Sequence, residues 1–352
     1  MSFGGPERPQ DVMPFLENVT RGRGIPTERL VEVSEHYQLF GGKSPINDQC
    51  RSLLAALANE LRSRGIEVPM YWGNRNWDPY LTDELRAIDR DGRRRVLAVV
   101  TSAYPSYSSC RQYRENLFDA AHDTQVQIDR IRHYANHPGF VEVAVDATLK
   151  ALETLGGETA DEARLVFVTH SIPMSMAETA GPVPRSPSGA YVDWHAVVAT
   201  AVTDRVSEHR GRRYESDLVY CSRSGPPSQP WLEPDINDHL RQLAASGEPA
   251  VVAVPIGFVS DHIEVVFDLD TEAAATATEC GLAFARAASA GDHPVFVSGL
   301  VDLMLERAAA ARGEQPDRTV VGSGTVGWYE CWTDCCPNLR DPGRPALCQV
   351  RS

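Results

Sequence analysis

An unbroken apolar run at residues 251–255 (Val-Val-Ala-Val-Pro) constrains the fold more than any other stretch of the chain. It does not alternate with polar residues, which indicates a strand buried on both faces. Further strand signals occur at residues 68–72, 95–101, 164–168 and 216–221, and helical patterns separate most of them. This alternation predicts an α/β fold with parallel sheets covered by helices.

Polar side chains follow several of these strands, and in parallel sheets functional residues gather in such loops. His170 comes just after the strand at 164–168, and Glu264 lies beyond the strand at 251–254. A lone histidine is more often structural than functional, but an imidazole beside a carboxylate suits a divalent first-row metal ion. The two strand ends therefore predict a site that binds a metal or moves protons.

Three acidic residues recur every four positions in the predicted helix that follows Ser260, which we expect to be its N-cap. Glu264, Asp268 and Glu272 would share one face of an α-helix, where like charges repel by about 0.2–0.5 kcal/mol per pair. Either the face is solvated near a helix N-terminus, where carboxylates are stabilised, or it carries a cation.

The overall charge argues against two classes of partner. With a net charge of −14 over 352 residues, a broad nucleic-acid surface or anionic lipid is not expected as a main partner. No apolar run approaches the length of a transmembrane helix, and the first residues do not resemble a signal peptide, so we expect a cytoplasmic protein. Residues 2–6 resemble a loop after a strand, although no strand precedes them.

The end of the chain is rich in cysteine. Four thiols lie within a short segment at Cys331, Cys335, Cys336 and Cys348. In a reducing compartment such clustering favours a metal over disulfides, and spacing alone does not distinguish zinc from an iron–sulfur cluster. Glycine-rich nucleotide motifs in the proper strand–loop–helix setting and a Gly-x-Ser-x-Gly elbow are absent, which argues against nucleotide cofactors and a serine hydrolase.

Three longer motifs resemble the ferrochelatase family, whose members insert ferrous iron into a porphyrin. They are residues 169–174 (Thr-His-Ser-Ile-Pro-Met), 222–234 (Ser-Arg-Ser-Gly-Pro-Pro, ending in Trp-Leu-Glu-Pro) and 255–264 (Pro-Ile-Gly-Phe-Val-Ser-Asp-His-Ile-Glu). Residues 41–45 and 73–77 support them more weakly, and the resemblance extends over nearly the whole chain. It implies a lyase of haem biosynthesis with two similar Rossmann-like halves and a porphyrin cleft between them.

On this resemblance, residues 1–157 form the first half, 158–320 the second, and 321–352 a cysteine-rich tail. His170 and Glu264 would be the catalytic pair and would bind metal, and Asp268 and Glu272 would continue the path for metal or protons. The remaining predicted residues would contact the porphyrin or form aromatic walls that press it out of plane: Ser44, Tyr113, His36, Tyr37, Tyr104, Arg75, Trp231 and Phe258.

Substrate and cofactor follow from the same resemblance. The composition resembles actinobacterial members, which implies coproporphyrin III as the substrate, with protoporphyrin IX as the alternative. Phe3 stands where many bacterial relatives have a tyrosine that reaches the iron, and phenylalanine cannot ligate a metal. Many relatives with a cysteine tail hold a [2Fe–2S] cluster. All four tail cysteines would then be ligands, with Cys110 or Cys221 as substitutes for one of them and structural zinc as the alternative.

Three rival functions remain. One is a chelatase for another tetrapyrrole or metal, and another is a non-catalytic haem or iron–sulfur binding protein with His170 as an axial ligand. The third is a metal-dependent hydrolase using His170, His262 and Glu264, although the spacing lacks a His-Glu-x-x-His pattern. The expected partners are a porphyrin, ferrous iron and, transiently, neighbouring enzymes of the haem pathway.

Overall fold

The computed structural model describes residues 1–22, 24–226, 228–322 and 324–347. After a 3₁₀ turn at Pro9–Asp11, the first part of the chain contains α1 (Val12–Val19), α2 (Thr27–Leu39), α3 (Ile46–Ser63), α4 (Leu81–Arg90), β1 (Arg95–Ala98), a π-helix (Tyr107–Arg111), α5 (Gln112–Ala121), β2 (Gln127–Arg130) and α6 (Pro138–Leu155).

The second part begins with α7 (Gly157–Asp161), β3 (Arg164–His170), α8 (Met174–Glu178), α9 (Gly189–Arg210), β4 (Ser216–Cys221), α10 (Ile236–Ser246) and β5 (Ala250–Val254). It continues with α11 (Ile263–Val265), a second π-helix (Val266–Ala273), α12 (Ala274–Glu279), β6 (Ala283–Arg286) and α13 (Pro294–Ala311). Within the described residues, no helix is both long enough and apolar enough to cross a membrane.

The larger sheet is parallel, with the strand order β4-β3-β5-β6. Alternate residues of its central strand β3 belong to two separate cores. Leu165 and Phe167 pack with α6, α9 and α13 on one face, whereas Val166 and Val168 pack with α10 and α12 on the other. Every residue of β5 is buried. The prediction of parallel strands covered on both faces is therefore confirmed.

The smaller sheet pairs β1 with β2, also in parallel. The strand expected at residues 68–72 does not form in the described residues; the nearest pairings are two isolated bridges, from Asn74 to Ser2 and to Tyr80. The N-terminus runs beside it: the terminal amine of Met1 donates to the Val99 carbonyl over 2.8 Å, and the Ser2 amide donates to Gly73. The two sheets thus differ in size although both are parallel.

Helices α6 and α13 connect the two parts of the molecule. Helix α6 packs against α9, α13, β5 and β6, and α13 also packs against α3. The division at residues 157 and 158 stays a prediction, and the helix just before it lies on the second sheet.

Candidate active site

His170 is the last residue of β3, and its backbone is fixed on both sides. It pairs with Cys221 of β4, and its carbonyl accepts a 2.9 Å hydrogen bond from the buried Tyr191 hydroxyl. The ring Nδ1 lies in hydrogen-bonding contact with the Ser171 carbonyl. A carbonyl only accepts, so Nδ1 carries a proton and the neutral ring has its lone pair on Nε2. That Nε2 lies 3.6 Å from Glu264 Oε2.

Glu264 reaches this position through the loop after β5. A Cβ atom added to Gly257 would lie 2.1 Å from Thr169 Oγ1, so only glycine lets the loop pass this close to the end of β3. The Asp261 amide donates to the Gln49 side chain over 2.8 Å. The expected N-cap at Ser260 is wrong: the helix begins at Ile263, and the buried Ser260 hydroxyl has no hydrogen-bond partner in the described residues.

The acidic residues do not lie on a continuous α-helix, which corrects the sequence prediction. Glu264 belongs to α11, whereas Asp268 and Glu272 belong to the π-helix Val266–Ala273. A π-helix bonds residues five apart instead of four, but the charges of both Glu264 and Glu272 act on Asp268, so the three carboxylates remain close to one another. Glu264 and Glu272 are exposed, and Asp268 is partly buried and accepts a hydrogen bond from the Ser222 hydroxyl.

The carboxylates differ sharply in acidity. Burial would raise the pKa of Glu264, but the neighbouring His170 imidazole and the charges of His262 and His36 outweigh burial and lower the pKa to about 2. Burial raises the pKa of Asp268 to about 7, against the Ser222 hydrogen bond and with help from the Glu264 charge. Near neutral pH the Glu264 carboxyl is therefore ionised, whereas the Asp268 carboxyl gains and loses its proton.

Protonation of His170 is tied to the same carboxylate. Burial would lower the pKa of the imidazole. The neighbouring, negatively charged Glu264 carboxylate outweighs burial and raises the pKa of His170 above the ordinary histidine value. The side chains of His170 and Glu264 keep 34% and 49% of their surface exposed. His170, a partly exposed group that can accept a proton, thus lies next to the negatively charged carboxylate of Glu264.

Aromatic rings surround this pair. His36 stacks on Phe267 with a centroid distance of 3.8 Å, and Phe258 contacts the His262 ring edge-on at 5.4 Å. Tyr37 is buried next to Phe15, and the Glu264 charge contributes, after burial, to raising its pKa. The predicted residues His36, Tyr37 and Phe258 therefore lie near the His170–Glu264 pair.

Arg75 and Tyr113, two of the predicted contacts from the first part of the chain, form a second group with Phe3. The Arg75 guanidinium lies over the Tyr113 ring at 4.4 Å and over the Phe3 ring at 5.5 Å, and its Nε donates to Asn116. Tyr113 is buried, as is Ser44, whose amide donates to the Pro6 carbonyl. This group is held together by its own contacts.

Two predicted aromatic walls are placed differently. Tyr104 is only 2% exposed and stacks on the buried His195 with centroids 3.5 Å apart, so its ring belongs to the core rather than to an open wall. Trp231 is partly buried, pairs with Pro173 through an isolated bridge, and packs directly against Gly225. Tyr104 is therefore left out of the site proposed below.

Across the described ranges, no three His, Cys, Asp or Glu side chains converge closely enough to hold one metal ion. Cys331, Cys335 and Cys336 are all buried and adjacent to one another, whereas Cys348 lies outside the described residues. Cys221 is at the end of β4 on the active-site side and does not join the tail cysteines.

Sequence reasoning missed Ser222 and Tyr191. Ser222 follows β4 directly, so the rule that placed His170 after β3 would also have identified it. Its φ of 59° is left-handed, an unusual conformation for a residue other than glycine, and Asp268 accepts its hydroxyl proton. Tyr191 lies within α9, and no motif or spacing in the surrounding sequence indicates that it contacts His170.

Comparison with known proteins adds a further finding. Residues 1–308 match a family model described as "Ferrochelatase". A protein of Streptomyces coelicolor named "Coproporphyrin III ferrochelatase" is 54% identical, with 98% of this chain and 94% of the relative covered. A Rhodopirellula baltica protein named "Ferrochelatase" is 45% identical over 99% of this chain and 94% of its own. Among solved structures, "SirB from Bacillus subtilis with Fe3+" is 14% identical with a TM-score of 0.48, covering 75% of this chain and 91% of that one.

Proposed function

The chain belongs to the ferrochelatase family, and on that premise we propose that it inserts ferrous iron into coproporphyrin III, giving coproheme for haem biosynthesis. The observation that carries the proposal is His170: its Nδ1 contacts the Ser171 carbonyl, so the neutral ring has its lone pair on Nε2, which lies 3.6 Å from the Glu264 carboxylate. The substrate is supported by the names of several relatives, including those from Streptomyces coelicolor and Mycolicibacterium smegmatis.

We propose that His170 accepts the pyrrole protons. A free-base porphyrin loses its N–H protons as iron enters, so the enzyme must provide a base. The Ser171 carbonyl holds the proton on Nδ1 and leaves Nε2 as the acceptor. The negative charge of Glu264 stabilises the imidazolium that results. The same Nε2 and carboxylate are suitable ligands for ferrous iron before it enters the ring.

Protons then need a route away from His170. In this proposal Asp268 takes them up, because its pKa of about 7 lets it both accept and release a proton near neutral pH, while Glu264 stays ionised. Ser222 orients the Asp268 carboxyl, and Glu272 lies exposed farther along the π-helix. Asp268 and Glu272 both lie in the π-helix Val266–Ala273, and π-helical turns are often found at functional sites.

The porphyrin would be held by the aromatic surroundings of the pair. Phe258, His36 and Tyr37 supply rings close to Glu264, and Trp231 lies beside the loop that follows His170. Binding a puckered ring more tightly than a planar one would lower the barrier to iron entry. Ser44, Tyr113 and Arg75 stay proposed contacts for the macrocycle or its carboxylates.

The test is an anaerobic absorbance assay with ferrous iron and either coproporphyrin III or protoporphyrin IX. We expect the free-base spectrum to change to a metalloporphyrin spectrum, faster with coproporphyrin III. Faster conversion of protoporphyrin IX would contradict the proposed substrate. Tight porphyrin binding without any insertion would contradict the proposed activity and favour a binding protein.

We further propose that the cysteine-rich tail holds a [2Fe–2S] cluster, with structural zinc as the alternative. Two hydrogen bonds to sulfur support a site for thiolates: Arg130 donates to Cys331 Sγ over 3.2 Å, and the Gly181 amide donates to Cys336 Sγ over 3.1 Å. Such a cluster supplies single-electron chemistry. Insertion of ferrous iron involves no net electron transfer, so no step above passes through it.

A cytoplasmic location and transient contact with neighbouring enzymes of the haem pathway also belong to this proposal.

A further inference from the structure

A cysteine from the first part of the chain joins the tail cysteines. Cys110 lies in the π-helix Tyr107–Arg111 and is buried, and its thiol is within hydrogen-bonding reach of Cys331. Cys331 in turn contacts Cys335, and the sulfur atoms of Cys335 and Cys336 are 4.0 Å apart. These four thiols thus form a continuous buried row.

The surroundings of this row favour negative charge on sulfur. Arg130 donates a hydrogen bond to Cys331, and the Gly181 backbone donates one to Cys336. Charged donors and backbone N–H groups stabilise thiolates, which are the form that binds metal. Burying the positive charge of a guanidinium has a high free-energy cost unless an opposite charge or a hydrogen-bonding partner accompanies it. Thiolates would supply that opposite charge, whereas neutral thiols would not.

A further buried polar group adjoins the tail. Both ring nitrogens of the fully buried His133 lack a hydrogen-bond partner in the described residues, and its ring packs against Trp328 at 5.2 Å. Buried polar atoms without partners are rare and call for an explanation such as a bound ion or cofactor.

We propose that Cys110 is the fourth protein ligand of the tail's iron–sulfur cluster, together with Cys331, Cys335 and Cys336. The inference rests on the cluster proposed above. A [2Fe–2S] cluster takes four thiolates shared between two irons, so its ligands need not converge on one point as they must for zinc. A row of thiols fits the first arrangement better. On binding, each thiol loses its proton and forms one sulfur–iron bond.

This ligand set gives the cluster a structural consequence, because it would link the tail to the first part of the chain. The tail is already held there by buried arginines that donate to its backbone carbonyls: Arg111 to Thr333 and Arg344, and Arg114 to Leu347. The cluster anion would complete this interface by neutralising part of the buried positive charge. Loss of the cluster should therefore weaken the attachment of the tail to the first part of the chain.

The test compares Cys110→Ser and Cys348→Ser in the full-length protein, with Cys280→Ser as a matched control because Cys280 is partly exposed on the second part of the chain. Each protein is purified anaerobically, and its iron, acid-labile sulfide and visible absorbance are measured. We expect Cys110→Ser to lose most of the cluster, and Cys348→Ser and the control to keep it. Proteolysis of the tail should accelerate in Cys110→Ser alone.

Loss of the cluster in Cys348→Ser with retention in Cys110→Ser would overturn the assignment. If Cys110→Ser fails to fold, Cys348→Ser still decides: a full cluster supports the assignment and a lost one refutes it. Zinc in place of iron and sulfide in the unmodified protein would refute the cluster itself. Iron insertion into coproporphyrin III, measured on the same samples, separates each of these outcomes from failure of the proposed enzymatic function.

Discussion

Replacing Glu264 by glutamine removes the charge beside His170 while keeping the size of the side chain. His170 Nε2 and Glu264 Oε2 are 3.6 Å apart, and the side chains are 34% exposed for His170 and 49% exposed for Glu264. Two unit charges at such a distance interact by about 1 kcal/mol in water, and exposed pairs contribute about 0–1 kcal/mol to stability. Glu264→Gln should therefore unfold at nearly the same temperature as the unmodified protein.

The catalytic effect of the same change should be far larger. Positioned acid–base groups contribute about 10²–10⁴-fold to rate, so we expect kcat for iron insertion to fall by a factor in this range. The pKa of His170 should also fall, because Glu264 raises it. His170 acts as the unprotonated base, so the acidic limb of the pH–rate profile should move to lower pH.

The assay is anaerobic iron insertion from about pH 5 to 9, with porphyrin affinity measured by fluorescence quenching. Glu279→Gln is a matched control because Glu279 is an exposed carboxylate at the end of α12. An unchanged kcat in Glu264→Gln would refute the role of this carboxylate. Equal loss of affinity and kcat would instead assign Glu264 to substrate binding.

Two further substitutions test the acidity of Asp268 and the close packing of the loop that carries Glu264. Asp268→Asn should alter how stability depends on pH: a pKa raised to about 7 stabilises the folded protein at low pH, and this contribution is lost as pH rises through 7. The unmodified protein should thus lose stability relative to Asp268→Asn between pH 4 and 8 in thermal unfolding, and parallel curves would contradict this. Gly257→Ala would push against Thr169 Oγ1 at 2.1 Å and should cost about 1–3 kcal/mol and slow insertion. Gly343→Ala, where a Cβ meets no atom closer than 4.0 Å, should have little effect, and equal unfolding temperatures for the two variants would refute the close approach.

Some of this architecture is readable from local sequence. Strands β3 and β5 are apolar without alternation because both of their faces are covered, and this pattern is visible in any short window. Parallel strand ends meet at one edge of a sheet, so His170 and Glu264 were expected to be neighbours before any coordinates were known. Strands β2 and β6 were missed because they are short and carry charged or polar residues.

Other features depend on information that local patterns lack. The same apolar spacing is compatible with bonds between residues four or five apart, so the sequence did not distinguish the π-helix at Val266–Ala273 from an α-helix. Tyr104 follows a strand, yet the packing of His195 from a distant helix buries it. The meeting of Cys110 with Cys331 joins distant parts of the chain and leaves no periodic signal.

The central claim is that His170 accepts protons from the bound porphyrin. The most direct measurement is a single-turnover, anaerobic insertion assay of His170→Ala with coproporphyrin III, with porphyrin binding followed in the same sample. We expect binding close to that of the unmodified protein and almost no metalloporphyrin formed. Insertion at the normal rate by His170→Ala would contradict the account.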